Sequence, residues 1–355
     1  MTAEEFDFLV RLLEAPSPSG YETPARRLLR ERLDGVADSI EVDMLGNLYA
    51  TLKGSCGGPR VMLTAHCDEI GFLVRHIDER GFIWFAPIGG VDPHLSPGQR
   101  VSIQTASGPV AGVVGKKAIH QMEGAEKDRV IPFTEQFIDI GAVDADEARR
   151  LVAIGDPVVF ASRVERLCGE RITSRALDDK MGAYLVLRAF LDLAEQQRLA
   201  GDVCAVFTVQ EEVGLRGAGP AAWGAEPDVA FVVEIGHGTD TPAHDVRRTG
   251  DVRLGSGPLL TRGPNVNHAL FDLLMRTGQE EGIPLQVLGE PRGTGTDARE
   301  IQLSRGGVAT ALVRVPTRYV HTPSEVLDLR DLEAARRLLV AAVGKVGGRE
   351  DFIPD

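Results

Sequence analysis

Phe6, Leu9, Val10 and Leu13 fall on one face of a helix, and TPARRLLRERL (Thr23–Leu33) predicts a second helix. Apolar runs then take over, with Gly46–Leu52 and Arg60–Ala65 (RVMLTA) reading as strands. From about Gly71 to Arg166 the runs shorten. Phe82–Phe85, Arg100–Gln104, Val110–Val114 and Val158–Phe160 are brief β-type stretches between Gly, Pro and Asp turns, which predicts a small barrel or sandwich. Ala145–Val152 stands out there as a helix. From Ser174 the rhythm changes again. Asp178–Gln197 is helical and apolar nearly all round, the pattern of a buried helix. Strands Val203–Val209 (VCAVFTV) and Val229–Ile235 (VAFVVEI), helix Ala269–Glu281, strand Val308–Val313 and helix Leu332–Val346 follow. Strands alternating with helices predict an α/β fold, its mostly parallel sheet covered on both faces. The expected organisation is a discontinuous α/β domain over 1–70 and 167–355, with an all-β insertion over 71–166.

Composition narrows the function classes. A chain of 355 residues exceeds the usual single core, and 43% hydrophobic with 26% charged residues is ordinary for a globular enzyme. The net charge of −13 argues against nucleic acid, whose phosphates need clustered Lys and Arg. No apolar run approaches the roughly 20 residues of a membrane-spanning helix. The acidic, amphipathic start MTAEEFDFLVRLLEAP does not read as a signal peptide. Cys56, Cys67, Cys168 and Cys204 form no CxxC pair and no disulfide framework, so a cytoplasmic setting is expected.

The candidate chemistry gathers where strands end. RVMLTA runs into His66 and Asp68, VCAVFTV into Glu211 and Glu212, and VAFVVEI carries Glu234 near its end. Asp178 and Asp179 precede the buried helix, and His321 follows a strand and a Pro-containing turn. In open parallel sheets, sites form at the carboxyl ends of strands. Singly, each residue has a bland reading. His66 alone fits a core or surface histidine, Asp178 and Asp179 fit a helix cap, and one of the adjacent glutamates can simply face solvent. Glu234 is harder to dismiss, since a lone carboxylate in an apolar strand is costly unless paired or metal-bound. Jointly, two His and several carboxylates supply the nitrogen and oxygen donors that a divalent metal pair needs.

Eight spaced segments carry a resemblance. They are TAHCDEIGFLV (Thr64–Val74), GGVDPHLSPGQRV (Gly89–Val101), GVVGKKAIH (Gly112–His120), FIDIGA (Phe137–Ala142), RALDDKMG (Arg175–Gly182), VQEEVGLRGA (Val209–Ala218), GTGTDA (Gly293–Ala298) and RYVHTPSE (Arg318–Glu325). In this order they resemble the tetrahedral-aminopeptidase family of dinuclear metallo-aminopeptidases, which includes glutamyl aminopeptidases and members called endoglucanases. The resemblance implies a zinc-peptidase-like α/β domain with an inserted β-barrel for dimer contacts and assembly into a hollow tetrahedral dodecamer. It implies two divalent ions per subunit, zinc with cobalt or manganese as alternatives, acting on short peptides. By resemblance Asp178 bridges the ions, His66 and Glu234 complete one site, and Glu212 and His321 complete the other. Glu211 is the implied general base, and Asp68 the carboxylate that orients His66. The family more often has Asp where this chain has Glu234. Asp179 is read as a helix cap only, and His94 and His120 as structural or interface residues.

Two other readings compete. One is a di-zinc deacylase or dipeptidase on the same scaffold, which an N-blocked against free-amine peptide panel separates. The other is an inactive assembly protein of the same fold, disfavoured by competent residues at every ligand position. A cellulase would need two carboxylates flanking a sugar bond rather than a metal-binding set.

Overall fold

In the computed structural model, which describes residues 1–196 and 199–354, the apolar strands expected from the sequence meet in one sheet of eleven strands. Its centre is parallel. Val203–Thr208, Val61–His66, Val229–His237 and Ala309–Arg318 lie side by side in that order. Antiparallel strands extend both edges: Leu48–Leu52 and Ser39–Val42 on one side, Glu325–Asp328, Arg171–Ser174 and Glu165–Arg166 on the other. Val61–His66 and Val203–Thr208 are buried at every position, which explains why they read as unbroken apolar runs rather than alternating ones. The register aligns their ends, with Thr208 opposite His66 and Glu234 opposite Arg314.

Helix Leu177–Gln196 packs across this centre and against helix Leu329–Val343. Met181, Leu185, Val186 and Phe190 are fully enclosed, each such side chain stabilising the fold by roughly 1.5–3 kcal/mol. The expected end of that helix, Gln197, lies outside the described residues, as does Asp355. The first helix, Ala3–Glu14, starts at a capping box in which the Thr2 hydroxyl accepts the Glu5 N–H.

The shorter β runs close into a separate barrel. Gly71–Ile77, Ile83–Ile88, Phe137–Asp139, Gly108–Gly115, Arg100–Thr105 and Pro157–Phe160 pair antiparallel around the ring. Its core is its own, with Phe72 packed edge-on against Phe85 and Phe160 at ring separations of 4.7 and 5.2 Å. The barrel's loop at Gly89 and Gly90 returns to the sheet end, so it borders the site described next.

Several elements were not anticipated. Ala218–Ala225 is helical although AGPAAWGA carries two Gly and a Pro, the poorest helix formers, among its four Ala. Leu259–Arg262 and Gln286–Gly289 are four-residue strands at the sheet's margin.

Candidate metal centre

His66 ends its strand with Nε2 pointing at Asp178 Oδ1, 3.1 Å away, and 3.9 Å from Glu234 Oε2. His321 approaches from the other side, its Nε2 3.4 Å from Asp178 Oδ2 and 3.1 Å from Glu212 Oε2. The six donor positions thus form two groups that share one residue. His66, Asp178 and Glu234 offer ligand atoms all within 4.8 Å of one another, and so do Asp178, Glu212 and His321. Donors on one tetrahedral ion with bonds near 2.1 Å stand roughly 3.4 Å apart, so the distances fit a cation between each set.

The chain holds these side chains through backbone bonds. After Thr208, four consecutive N–H groups are accepted by side chains from elsewhere: Val209 by Asn47, Gln210 by Glu22, Glu211 by Asp68 Oδ1 and Glu212 by Asp68 Oδ2. Gln210 itself takes a left-handed φ of 57°, which turns the chain sharply just before the glutamate pair. Asp68 is fully buried, accepts the Ser19 hydroxyl at 2.6 Å, and lies 3.4 Å from His66 Nδ1. Its backbone carbonyl lies 3.2 Å from the same Nδ1, so Asp68 fixes the imidazole through main chain and side chain together, and its carboxylate fixes the loop that presents Glu211 and Glu212. Glu325 does the same on the opposite side. Its two oxygens accept the N–H of Asp178 at 3.0 Å and of His321 at 2.9 Å. Reading the sequence missed Glu325, Glu22 and Asn47, because nothing local distinguishes an acceptor for a distant backbone group.

The electrostatics of the set follow from its burial. Burial, reinforced by Asp178, raises Glu234 to about 8. Burial raises Glu211 to about 10, with His66 opposing and Glu234, Asp297 and Glu212 adding to the shift. Burial likewise raises Glu212. The imidazoles move the other way. Hydrogen bonding to Asp178 and Glu212 lifts His321 to about 11, and contacts with Asp178 and Asp68 lift His66 against the effect of its burial. A buried cluster of carboxylates that cannot all ionise on their own is completed by added positive charge, which divalent cations supply.

Asp179 does not act as the expected cap. Both carboxylate oxygens are buried without a hydrogen-bond partner, and burial beside Glu234 raises its pKa well above the usual range. The backbone at Asp178 and Asp179 is non-helical, so the regular helix starts beyond them. His94 and His120 are exposed on the barrel and belong to neither ligand group.

The two groups open into a cleft of about 610 Å³. Glu211, Glu212, Glu234 and Asp178 line one part of it, and His237, Arg299 and Arg314 line another. Gly90 sits where a Cβ would meet His321 Nδ1 at 2.7 Å, so a side chain there would push the imidazole aside.

Comparison with known proteins places the chain in a family. The family described as M42 glutamyl aminopeptidase matches residues 46–338. A lysyl aminopeptidase of Pyrococcus furiosus is 36% identical, with 99% of each chain covered. A glutamyl aminopeptidase of Lactococcus lactis is 31% identical over 96% of each. Among solved structures, a TET aminopeptidase from a marine sediment thaumarchaeote superimposes with a TM-score of 0.92 at 32% identity, covering 97% of each chain. The TET1 peptidase of Pyrococcus horikoshii, which can assemble into a tetrahedron or a large octahedral shell, gives 0.84 at 32% identity, with 95% of this chain and 98% of that one covered.

Proposed function

The chain belongs to the M42 glutamyl aminopeptidase family, and from that premise we propose that this aminopeptidase removes N-terminal residues from short peptides with two divalent cations bound to its own side chains. The observation that carries the reading is Asp178, whose two oxygens face two separate imidazoles, each with its own glutamate beside it. His66 and Glu234 would hold one ion with Asp178, and Glu212 and His321 the other. When bound, such a pair polarises the scissile carbonyl and lowers the pKa of water to about 7. Glu211 is left outside both ligand groups yet lines the same cleft. It accepts the proton of the attacking water and passes it to the leaving amine, base first and acid second. Asp68 keeps His66 in one tautomer and orientation throughout.

The ligand set is nitrogen and oxygen only, so zinc is proposed, with cobalt or manganese as alternatives to be separated by adding each back to chelated protein. We propose that residues 1–70 and 167–355 form the catalytic domain and 71–166 the domain through which copies assemble, up to a dodecamer. Cys67 and Cys204 are buried and unpaired, which suits a reducing compartment and a cytoplasmic setting.

Glu211→Gln tests the mechanism. Turnover of a free-amine aminoacyl-anilide should fall at least about 100-fold while bound metal, measured by elemental analysis, stays at the wild-type level. Full turnover in that variant would remove Glu211 from its assigned role.

A further inference from the structure

Three charged side chains lie buried behind the metal centre, and the mechanism above uses none of them. Glu69, Arg175 and Lys180 are 2%, 5% and 0% exposed. Glu69 follows His66 and Asp68 in one loop, while Arg175 and Lys180 stand on either side of Asp178. The Glu69 carboxylate takes one cation on each oxygen. Oε1 accepts Lys180 Nζ at 2.7 Å, and Oε2 accepts Arg175 Nη1. The three N–H bonds of Lys180 find three acceptors, Glu69 and the carbonyls of Leu13 and Ala15. Arg175 Nη2 donates to the Glu14 carbonyl at 2.7 Å, and the Ser17 N–H donates to Glu69 Oε1 at 2.9 Å. One carboxylate thereby joins the loop after His66, the segment carrying Asp178 and the end of helix Ala3–Glu14. That helix end leads on to Ser19, whose hydroxyl holds Asp68.

Burying charges costs so much that a buried ionic network is weak support for stability, and apolar residues of similar volume often replace one without loss. Apolar packing does not supply direction, whereas each charge-assisted hydrogen bond here fixes a particular atom. The segment at Asp178 depends on such fixing. Its backbone leaves the helical region at Asp178 and Asp179, so regular helix does not hold it. Glu325 takes the Asp178 N–H from one side, and Arg175 and Lys180 tie the flanking chain to Glu69. We propose that Glu69, clamped between Arg175 and Lys180, is a positioning residue that sets where the Asp178 carboxylate stands relative to His66. It thereby holds together the two donor groups that share Asp178. The inference rests on the aminopeptidase reading above and adds to it the residues that keep the shared ligand in place.

A comparison of two full-length variants separates positioning from stability. Glu69→Gln leaves two buried cations without their counter-charge. The triple variant Glu69→Leu, Arg175→Met, Lys180→Met replaces the whole network by apolar side chains. Each is measured by urea unfolding without metal, by Co(II) titration against a competing chelator, and by kcat and KM on Glu-, Leu- and Lys-anilides with saturating Co(II). Glu69→Gln should lose stability and metal affinity together. The triple variant should unfold at a urea midpoint close to wild type yet bind Co(II) about 10- to 100-fold more weakly. Its kcat should fall about 100-fold, since a displaced ligand acts on the chemical step, and KM should change less than about threefold. Wild-type metal affinity and kcat in the triple variant would overturn the proposal. A triple variant that does not fold, or whose losses follow its folded fraction, would make the network a stability element and equally overturn it. The Co(II) titration needs no substrate, so it decides the positioning even if wild type cleaves only N-blocked peptides and the aminopeptidase reading fails. A wild-type chain that binds no Co(II) would overturn both.

Discussion

Asp68 shows how much one carboxylate does from behind a site. It touches His66, takes the Ser19 hydroxyl, and accepts the backbone N–H groups of both Glu211 and Glu212. These bonds need two acceptor oxygens, and an amide offers one. Asp68→Asn is therefore expected to weaken metal binding about 10- to 100-fold, the usual cost of losing such a support, with little change in fold. Metal titration against a competing chelator measures this directly, and an unchanged affinity would reduce Asp68 to a turn-former. The sequence made His66 and Asp68 conspicuous because both follow an apolar strand. It gave no such sign for Glu325, whose two acceptor bonds join Asp178 to His321 across more than a hundred residues of chain. Arg314 was hidden for a related reason. A charge in the run ATALVRVPTR looks like the end of a strand, whereas the strand continues to Arg318 and the charge turns into the cleft.

At the level of elements, the legible part was the set of strands that deliver ligands, because burial on both faces leaves an unbroken apolar stretch ending in a polar residue. Strand order and register were not legible, since both depend on pairings between distant segments. The barrel was visible as a change of texture, yet its approach to the metal centre depends on a single position. Gly90 passes His321 so closely that even a methyl group would sit 2.7 Å from Nδ1. The ring is also held by its own backbone bond to Glu325, so it has little freedom to retreat. Gly90→Ala is expected to displace His321 and weaken the Asp178–Glu212–His321 group while sparing His66–Asp178–Glu234. Bound metal would then fall from the proposed two ions per chain toward one with the circular dichroism spectrum unchanged. Two tightly bound ions in that variant would show that the loop yields instead of the imidazole.

For the whole molecule, the surface of the barrel raises the question of what covers it. Val143, Leu151 and Ile154 flank or end helix Ala145–Leu151 and are 82%, 47% and 69% exposed in the single chain, and Ile119 and Val130 are also exposed on the barrel side. Val143, Leu151 and Ile154 lie within twelve residues of one another in the chain, and a contiguous exposed apolar patch marks a surface for association. Closed assemblies bury such a patch by symmetry, and twelve copies of a 38.3 kDa chain make a particle of about 460 kDa. Light scattering coupled to size exclusion should find that particle or a smaller closed oligomer. Val143→Asp combined with Ile154→Asp should shift the distribution toward smaller species, because each charge would have to be desolvated on assembly. If the dissociated variant hydrolyses anilides as fast as wild type but also degrades unfolded full-length protein that the assembled form spares, enclosure restricts access and the metal centre alone performs the chemistry. A wild-type monomer that is fully active on short peptides would remove the need for any enclosing shell.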